Sequence, residues 1–499
     1  MGSSSPPPHA LVIPYPAQGH VISFMELSHR LIDHGFHVTF VNTDFDHARV
    51  MASLPGPLSG TGPTPPLLRL VSIPDGLEPG ADRNNLKRLT LSVEEHMPGL
   101  LEKLLVHAAS GVSPVTCVIA DHCMAWALDV AKKIGLRAAA FSTTSADALV
   151  MALSIPRMID DGTIDANGKD GVPTEHRMIR LGPQMPPMNT AHFWWNCLGD
   201  ASTNQVFFDY LRRGNKYIDT AAEWILCNSS SHVESPVFKY SPKVRPIGPM
   251  LPGLRPGRPV GRFWPEDSSC EDWLNQQPPK SVVYVSFGSF TIFDPRQFRG
   301  QLLVWRILGS RWSVQSYTWE SIVQGLQEVE FELALGLEIL GRRFLWVVRP
   351  DLTEKANMAF PGGFEERVAG RARIVGWLPQ QRVLAHPSVV CFVSHCGWNS
   401  TMEGITNGLP FLCWPYFGDQ FLNESYICNT WKVGLRLSKD VEGIVTKEEI
   451  KAKLEALLSN KEVVGRALEL KEMAARSVGE GGSSFDNFNE FVESMMKVI

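Results

Sequence analysis

Short apolar runs alternate with stretches of helical periodicity along most of the chain. In the first such unit, Ala10–Ile13 predicts a buried strand, 14–19 a turn-rich loop, and the apolar positions from His20 onward a helix that ends at Gly35. Strands that alternate with helices in this way predict a parallel sheet covered on both faces. The same pattern places further strands at His37–Val41, Leu68–Ile73, Val115–Ala120, Ala138–Ser142, Val282–Phe287, Phe344–Val348, Ala372–Gly376, Val389–Val393 and Phe411–Trp414.

The alternation is interrupted by a Pro-Gly-rich segment, residues 251–262, which is typical of an interdomain linker. Because 499 residues exceed what one hydrophobic core usually holds, we expect two domains. We therefore predict an α/β protein in which two doubly wound, Rossmann-like domains, residues 1–250 and 263–480, face each other across a cleft.

Composition and charge narrow the class of protein. Apolar residues make up 44% and charged residues 20%, a globular balance that excludes a mostly disordered chain. The net charge of −5 argues against a protein that coats nucleic acid or an acidic membrane surface. We find no apolar run long enough to span a bilayer and no signal peptide. The nine cysteines are scattered without a C-x-x-C pair, which indicates a reduced, cytosolic protein. For the oligomeric state, we take a monomer as the default.

In open parallel sheets, ligands bind beyond the carboxyl ends of the strands. After the predicted strand that ends at Val393, the motif Ser400-x-x-Glu403 is a capping box that predicts a helix beginning there. Such a helix N-terminus suits a phosphate, and His395 and Asn399 could donate further hydrogen bonds to it. The alternative is that Ser400 only caps a structural helix. Residues 287–289 offer a second phosphate contact after another strand.

Two residues of the first half are candidates for acid–base chemistry. His20 follows the first predicted strand, where an imidazole can take a proton from a bound hydroxyl near neutral pH. Asp121 ends another predicted strand and, if the two strands are neighbours, its carboxylate would orient the imidazole and stabilise the imidazolium. Alternatives stay open for both: a surface or core histidine, and an aspartate that caps a helix over His122–Lys133.

Two other patterns resemble ligand sites. Asp44-x-Asp46 mimics the D-x-D that holds a divalent metal in some sugar-transfer enzymes, but aspartates in this position normally begin a helix. No G-x-G-x-x-G follows the first strand, which argues against a dinucleotide dehydrogenase. We therefore expect neither a metal site nor a dinucleotide site here.

The 44 residues from Trp377 to Gln420 carry a specific pattern. They include Trp-Leu-Pro-Gln-Gln at 377–381, His-Cys-Gly-Trp-Asn-Ser at 395–400 and Phe-Gly-Asp-Gln at 417–420. This segment closely resembles the plant secondary-product glycosyltransferase box, the signature of UDP-sugar-dependent transferases with the GT-B fold. The likeness extends over nearly the whole chain, and it implies a GT-B protein whose second domain binds the donor nucleotide.

The resemblance implies a role for each residue of the donor site. Trp377 would stack on the uracil, whose edge would pair with the backbone of Leu378, and Gln420 at the end of the box indicates UDP-glucose. Leu378 stands where the family usually has Ala, a change that a backbone contact tolerates. The other implied contacts are Gln380 and Glu403 with the ribose, His395, Asn399, Ser400 and Ser289 with the diphosphate, Trp398, Asp419, Gln420 and Thr143 with the sugar, and Gly397 and Tyr416 elsewhere in the UDP-sugar site.

The resemblance also implies the chemistry. His20 and Asp121 match the family's catalytic base and its orienting partner, so we expect an inverting, single-displacement transfer of glucose with no metal and no cofactor. The acceptor would be a hydroxyl or carboxyl group of a small lipophilic plant metabolite, such as a flavonoid or phenylpropanoid. Another UDP-sugar donor, or a nucleotide-sugar binder without catalysis, is the alternative.

Two further expectations concern the first domain. The final segment, 481–499, is expected to form an amphipathic helix that docks back on this domain, as in the family. Apolar side chains of the domain are candidates for the acceptor pocket, with core packing as the alternative. These side chains are Phe141, Met151, Phe193, Trp194 and Trp195.

One segment departs from the family pattern. Residues 299–326 contain three tryptophans and no recognisable helix cap, and they belong to a stretch about thirty residues longer than the family uses. We interpret this segment as translated intron or a gene-model error, with a genuine surface loop as the alternative.

Overall fold

The computed structural model divides the chain into two compact units. Unit 1 comprises Met1–Pro265 together with Met473–Ile499, and unit 2 comprises Glu266–Glu472. Most of the predicted linker 251–262 and all of the insertion 299–326 lie outside the described residues. The residues that the structure describes are 7–53, 67–109, 113–165, 178–251, 261–289, 331–349, 360–441 and 443–497.

Unit 1 is built on a parallel sheet which, within the described residues, has seven strands in the order β3-β2-β1-β4-β5-β8-β9. Ile13 of β1 lies opposite Ala120 of β4, so the carboxyl ends of these two strands are side by side. An antiparallel pair, β6 and β7, is separate from this sheet. The strands are β1 (His9–Ile13), β2 (His37–Thr43), β3 (Leu68–Ile73), β4 (Cys117–Asp121), β5 (Arg137–Ser142), β6 (Met178–Ile179), β7 (Met188–Asn189), β8 (Trp224–Cys227) and β9 (Val244–Pro246).

Local signals account for several helix boundaries in unit 1. Thr43 accepts a hydrogen bond from the Asp46 N–H, and Asp44 and Asp46 in the first turn complement the helix dipole, so these aspartates begin a helix as expected. Gly35, with φ of 87°, follows the end of the first helix. The helices are α1 (Gln18–Asp33), α2 (Asp44–Ala52), α3 (Leu86–Ala109), α4 (Trp126–Lys133), α5 (Ala146–Leu153), α6 (Ile155–Asp160), α7 (Ala201–Ala221) and α8 (Ser235–Tyr240), with short 3₁₀ turns at His122–Met124, Thr190–His192 and Trp194–Asn196.

Unit 2 is built on a second parallel sheet, with six strands in the order β12-β11-β10-β13-β14-β15 among the described residues. Ser286 of β10 lies opposite Ser394 of β13, so the loops that follow these strands are neighbours. In both units the predicted strands match observed ones to within two residues at each end, whereas β6 to β9 and β15 were not predicted. The strands are β10 (Val282–Ser286), β11 (Arg343–Val347), β12 (Ala372–Val375), β13 (Val389–Ser394), β14 (Phe411–Cys413) and β15 (Gly434–Arg436).

The helices of unit 2 pack closely on each other and on the sheet. A Cβ on Gly336 would lie 2.9 Å from Cβ of Ile450, so only glycine allows this approach between two helices. Thr446 accepts a hydrogen bond from the Glu449 N–H and caps one of them. The helices are α9 (Ser269–Asn275), α10 (331–340), α11 (Phe364–Val368), α12 (Gln380–Ala385), α13 (Trp398–Thr406), α14 (Gln420–Ser425), α15 (Lys447–Ser459) and α16 (Lys461–Val478), with a π-helical turn at Tyr426–Thr430. The residues of α16 from Met473 onward belong to unit 1.

The last helix, α17 (Ser483–Met496), packs on the core of unit 1. Phe491 is fully buried, with its ring centroid 5.8 Å from that of Trp224, and Arg137 donates a hydrogen bond to Ser494 Oγ (3.0 Å). Phe485, in the first turn of this helix, is 38% exposed. None of the helices in the described ranges is both long and apolar enough to cross a membrane.

Candidate functional site

A histidine and an aspartate form a close pair at the carboxyl ends of β1 and β4. His20 lies in the first turn of α1, and its Nδ1 is 2.6 Å from Oδ2 of Asp121, the last residue of β4. The sequence analysis predicted that Asp121 orients His20 only if the strands that precede these two residues are neighbours. That condition holds, because β1 and β4 are adjacent in the sheet.

The Asp121 carboxylate is fully buried and surrounded by donors. Oδ2 accepts from the Tyr15 N–H (3.2 Å) as well as from His20, and Oδ1 accepts from the Cys123 N–H (2.9 Å). Burial alone would raise the pKa of Asp121, but the charge on His20 and hydrogen bonds from His122 and His20 outweigh it and hold this pKa well below the usual range. Because the Cys123 bond caps the 3₁₀ turn that follows, Asp121 is both a helix cap and the partner of His20.

The hydrogen bonds define which nitrogen of His20 can act as a base. An ionised carboxylate only accepts, so Nδ1 carries the proton and Nε2 presents its lone pair. Thr143 Oγ1 lies 3.1 Å from Nδ1, so this residue, assigned by resemblance to the sugar, also contacts the imidazole. The side chain of His20 is 21% exposed and that of Asp121 is not exposed at all. The pair can therefore take a proton from a hydroxyl that reaches Nε2.

A second polar cluster lies in unit 2, beyond the carboxyl ends of β10, β12 and β13. Gln380 Nε2 donates to Ser400 Oγ (2.9 Å) and to Glu403 Oε2 (2.5 Å), while its Oε1 accepts from Tyr284 Oη (2.8 Å). The structure thus joins three residues that the resemblance assigned to the ribose and diphosphate. The sequence missed Tyr284, because a tyrosine inside an apolar strand cannot be distinguished from an ordinary core residue.

The helix after β13 begins earlier than predicted. It starts at Trp398 with Gly397 in the cap position, and no side chain caps it, so the predicted capping box at Ser400 and Glu403 is wrong. The reason is the conformation of the turn. Cys396 has φ of 67° and Gly397 is extended, so the chain turns at these two residues and the helix begins at Trp398, two residues before Ser400. The first intrahelical bond runs from the Thr401 N–H to the Gly397 carbonyl, so the N–H groups of 398–400 form the helix N-terminus.

His395 is held in a narrow space beside this N-terminus. A Cβ on Gly288 would lie 2.5 Å from His395 Nε2, and a Cβ on Gly397 would lie 2.4 Å from the same atom. Burial lowers the pKa of His395 to about 4, a shift that the backbone of Ser286 partly opposes. The imidazole is therefore neutral at neutral pH, and it can donate from one ring nitrogen at a time.

The segment after β14 is organised by two amide side chains. Gln420 Oε1 accepts from the backbone N–H groups of Tyr416 (3.0 Å) and Phe417 (3.1 Å), which leaves its NH₂ as the group directed to other partners. Asn423 is fully buried and donates to the Cys396 carbonyl (2.9 Å) and to Asp419 Oδ2 (3.0 Å). Asn423 thereby ties this segment to the loop after β13, a role that no local motif in the sequence marked.

The remaining donor-site candidates follow strand ends in unit 2. Trp377 is half-buried after β12, and its carbonyl accepts from the Asp267 N–H (3.0 Å). Leu378 is buried, so its side chain packs inward and only its backbone is suited to a base contact. Trp398 is also buried, with its ring centroid 6.4 Å from that of Trp431. Ser289, Asn399 and Tyr416 lie after β10, in the first turn of α13 and after β14, respectively.

The apolar residues offered for an acceptor pocket belong to the core of unit 1. Phe141, Met151, Phe193 and Trp195 have no exposed surface, and Trp194 has 7%. A side chain without accessible surface cannot line a cavity that solvent enters, so the packing alternative is correct for these four residues. Trp195 stacks obliquely on Phe193 at 4.9 Å, which shows where their surface is buried.

Comparisons with known proteins agree with two α/β units of this type. Residues 313–474 match the family described as UDP-glucoronosyl and UDP-glucosyl transferase. UDP-glycosyltransferase 83A1 of Arabidopsis thaliana is 38% identical over 97% of this chain and 96% of its own length. A 7-deoxyloganetic acid glucosyl transferase of Catharanthus roseus is 30% identical over 99% of this chain and 98% of its own.

A solved structure gives the same result. Os79 from O. sativa, in complex with UDP, superimposes with a TM-score of 0.74 at 26% identity, over 97% of this chain and all of that one. The chain is an enzyme of the GT-B fold class, as predicted. It belongs to the UDP-glycosyltransferase family.

Proposed function

We propose that this protein transfers glucose from UDP-glucose to a hydroxyl group of a small lipophilic plant metabolite, with inversion at the anomeric carbon. The observation that carries the proposal is the His20–Asp121 pair, with 2.6 Å between Nδ1 and Oδ2. The polar cluster of Gln380, Ser400 and Glu403 supports it, because these groups suit a ribose and a diphosphate. The name of the C. roseus relative, a 7-deoxyloganetic acid glucosyl transferase, describes glucosyl transfer to a small organic molecule, which supports glucose as the sugar and a small metabolite as the acceptor.

The reaction is a single displacement. His20 Nε2 takes the acceptor proton while the acceptor oxygen attacks the anomeric carbon. The bond between that carbon and the diphosphate oxygen breaks, and UDP leaves with the electron pair. Asp121 stabilises the imidazolium, which then returns its proton to solvent.

Fixed dipoles stabilise the leaving group. The N–H groups of 398–400 carry the partial positive charge of a helix N-terminus, and His395 supplies a neutral donor beside them. The amide NH₂ of Gln420 donates to a sugar hydroxyl, because its carbonyl oxygen is held by the backbone of 416–417. We therefore propose that the transfer needs no metal ion, and that EDTA leaves the rate unchanged.

The test is a donor and acceptor screen with the purified full chain. UDP-glucose, UDP-galactose, UDP-xylose and UDP-glucuronate are each offered with a panel of phenolic, terpenoid and carboxylic acceptors, and products are identified by mass spectrometry. NMR coupling constants of the product report the anomeric configuration. We expect β-glucosides from UDP-glucose, at least tenfold faster than the other products. An α-glycoside would overturn the mechanism, a preferred second sugar would overturn the donor, and UDP binding without any product would favour a nucleotide-sugar binder.

A further inference from the structure

A second histidine contacts the carboxylate of the acid–base pair. His122 follows Asp121 directly, its side chain is 2% exposed, and its Nδ1 lies 3.3 Å from Asp121 Oδ1. His20 lies on the other oxygen of the same carboxylate. Asp121 thus bridges two imidazoles, of which the mechanism above uses only one.

The direction of the hydrogen bonds follows from the ionised carboxylate. Since Asp121 only accepts, His122 Nδ1 carries a proton toward Oδ1, and the lone pair of Nε2 faces Cys123 Sγ at 3.3 Å. The Cys123 thiol can donate to that nitrogen. The result is a chain of donors that runs from the thiol to His122 and on to Asp121, where the bond from His20 arrives on the opposite oxygen.

The same three side chains could in principle bind a metal, because ligand atoms of Asp121, His122 and Cys123 all lie within 4.8 Å of one another. The two nitrogens of His122, however, have different nearest partners: Nδ1 is 3.3 Å from Asp121 Oδ1 and 4.0 Å from the Cys123 thiol, whereas Nε2 is 3.3 Å from the thiol. A single ion could take only one of them and would break the other contact. The hydrogen-bonded chain satisfies all three groups at once.

We propose that His122 is a positioning residue for the transfer reaction, because it fixes the rotation of the Asp121 carboxylate and shares the negative charge that supports His20. The inference rests on the proposed function. Without the His122 donor, Oδ1 keeps the Cys123 N–H as its donor among the described residues, so the carboxylate is less firmly oriented. More negative charge then remains on Oδ2, which stabilises the imidazolium form of His20.

Among the described residues, the other titratable groups around this chain belong to the loop before α1 and to helices α2, α3 and α7. Tyr15, before α1, has its ring centroid 5.5 Å from that of His20, and Tyr210 of α7 donates to the Cys123 carbonyl. Burial raises the pKa of both phenols above the usual tyrosine range, and repulsion from Asp46 adds to the shift for Tyr15 and repulsion from Glu94 to that for Tyr210. Both phenols therefore stay neutral where imidazoles titrate.

The test compares His122→Leu with His122→Asn. Leucine fills the space without a donor, whereas the amide of asparagine can still donate to Oδ1. We expect His122→Leu to lower kcat about tenfold, to leave KM for UDP-glucose within twofold, and to move the acidic limb of the kcat/KM profile to higher pH. His122→Asn should restore most of kcat and the original limb.

Two outcomes would overturn the inference: wild-type kcat and acidic limb in His122→Leu, or equal impairment in both variants, which would show that only shape matters. If His122→Leu does not fold, Cys123→Ala replaces it, and a smaller shift of the acidic limb in the same direction is expected. NMR titration of the His20 ring in histidine-labelled protein reports the same effect without turnover. A chain that transfers no sugar would refute the proposed function, and this titration would still decide the role of His122.

Discussion

The His20–Asp121 pair of unit 1 and the proposed diphosphate site of unit 2, which consists of His395 and the N-terminus of α13, use opposite arrangements of charge. In unit 1 a full negative charge on Asp121 is buried completely and kept ionised by the donors around it. In unit 2 the buried imidazole of His395 is kept neutral, and the positive potential comes from a helix N-terminus. Proton transfer needs a group that changes charge, whereas binding of a diphosphate needs a charge distribution that does not change during the reaction.

The largest expected effect comes from removing the base of the His20–Asp121 pair in unit 1. His20→Ala removes the only imidazole nitrogen that the mechanism uses as a base, so kcat should fall by about 10³-fold. UDP affinity should stay within twofold, because the residues that we propose for the nucleotide lie in unit 2. Rapid quench kinetics and calorimetry measure the two quantities, and full activity with a natural acceptor would remove His20 from the mechanism.

Asp121→Asn keeps the shape of the pair and removes its charge. We expect kcat to fall by about 10²–10³-fold, because the neutral amide supports the imidazolium poorly and can favour the wrong tautomer.

The same variant tests the pKa of Asp121 through stability. Because the folded pKa lies below the unfolded value, the charge of Asp121 contributes stability above about pH 4 and loses that contribution as the pH falls further. Urea unfolding from pH 6 downward should show a steeper decline below pH 4 for the wild type than for Asp121→Asn. Parallel curves would contradict the assignment of a depressed pKa.

The neutral His395 of unit 2 should change the free energy of unfolding over a different range of pH. The unfolded chain protonates His395 near pH 6.5, but the folded pKa is about 4, so the folded state loses stability as the pH falls through this interval. The loss is about 3 kcal/mol by pH 4, from 1.4 kcal/mol per pH unit. His395→Asn should lack this slope, and the free energy of unfolding measured between pH 7 and pH 4 gives the comparison directly.

Gly397→Ala should weaken the nucleotide site and spare the acid–base pair. A Cβ at this position collides with His395 Nε2, so we expect UDP affinity to fall about thirtyfold, with kcat at saturating donor within threefold of wild type. Gly362→Ala is the matched control, since no heavy atom lies within 4 Å of a Cβ there. Equal UDP affinity in the two variants would mean that His395 tolerates displacement.

The smallest effect concerns the choice of sugar. Gln420→Glu exchanges the directed NH₂ for a second oxygen, so kcat/KM for UDP-glucose should fall about tenfold while UDP alone binds as before. Competition between UDP and UDP-glucose in calorimetry separates the sugar from the nucleotide. Unchanged kcat/KM would show that the Gln420 amide does not contact the sugar.

Much of the fold was predictable because its strands are buried on both faces. Val282–Ser286, which is buried throughout, was predicted to within one residue of its observed bounds, since continuous apolar runs are characteristic of parallel sheets. Strands such as Trp224–Cys227 and Gly434–Arg436 were missed because the periodicity of apolar residues over three or four positions does not distinguish a strand from a helix or a loop.

The site was predictable only where a residue type and its place after a strand coincide. His20 and Asp121 met this condition, and so did His395. The helix start at Trp398 did not, because the left-handed backbone of Cys396 outweighed a good local capping motif at Ser400.

The sequence alone determined two α/β units and made His20 and Asp121 candidates for proton transfer, because apolar periodicity and the order of strands and loops are local properties of the chain. Only the tertiary structure decided that Asp121 contacts two histidines, that Asn423 ties Asp419 to the loop after β13, and that Phe193 and Trp195 are core residues. Each of these depends on how strands, turns and helices pack in the folded chain. Hydrogen-bond geometry and burial are set by that packing, and no local sequence pattern records them.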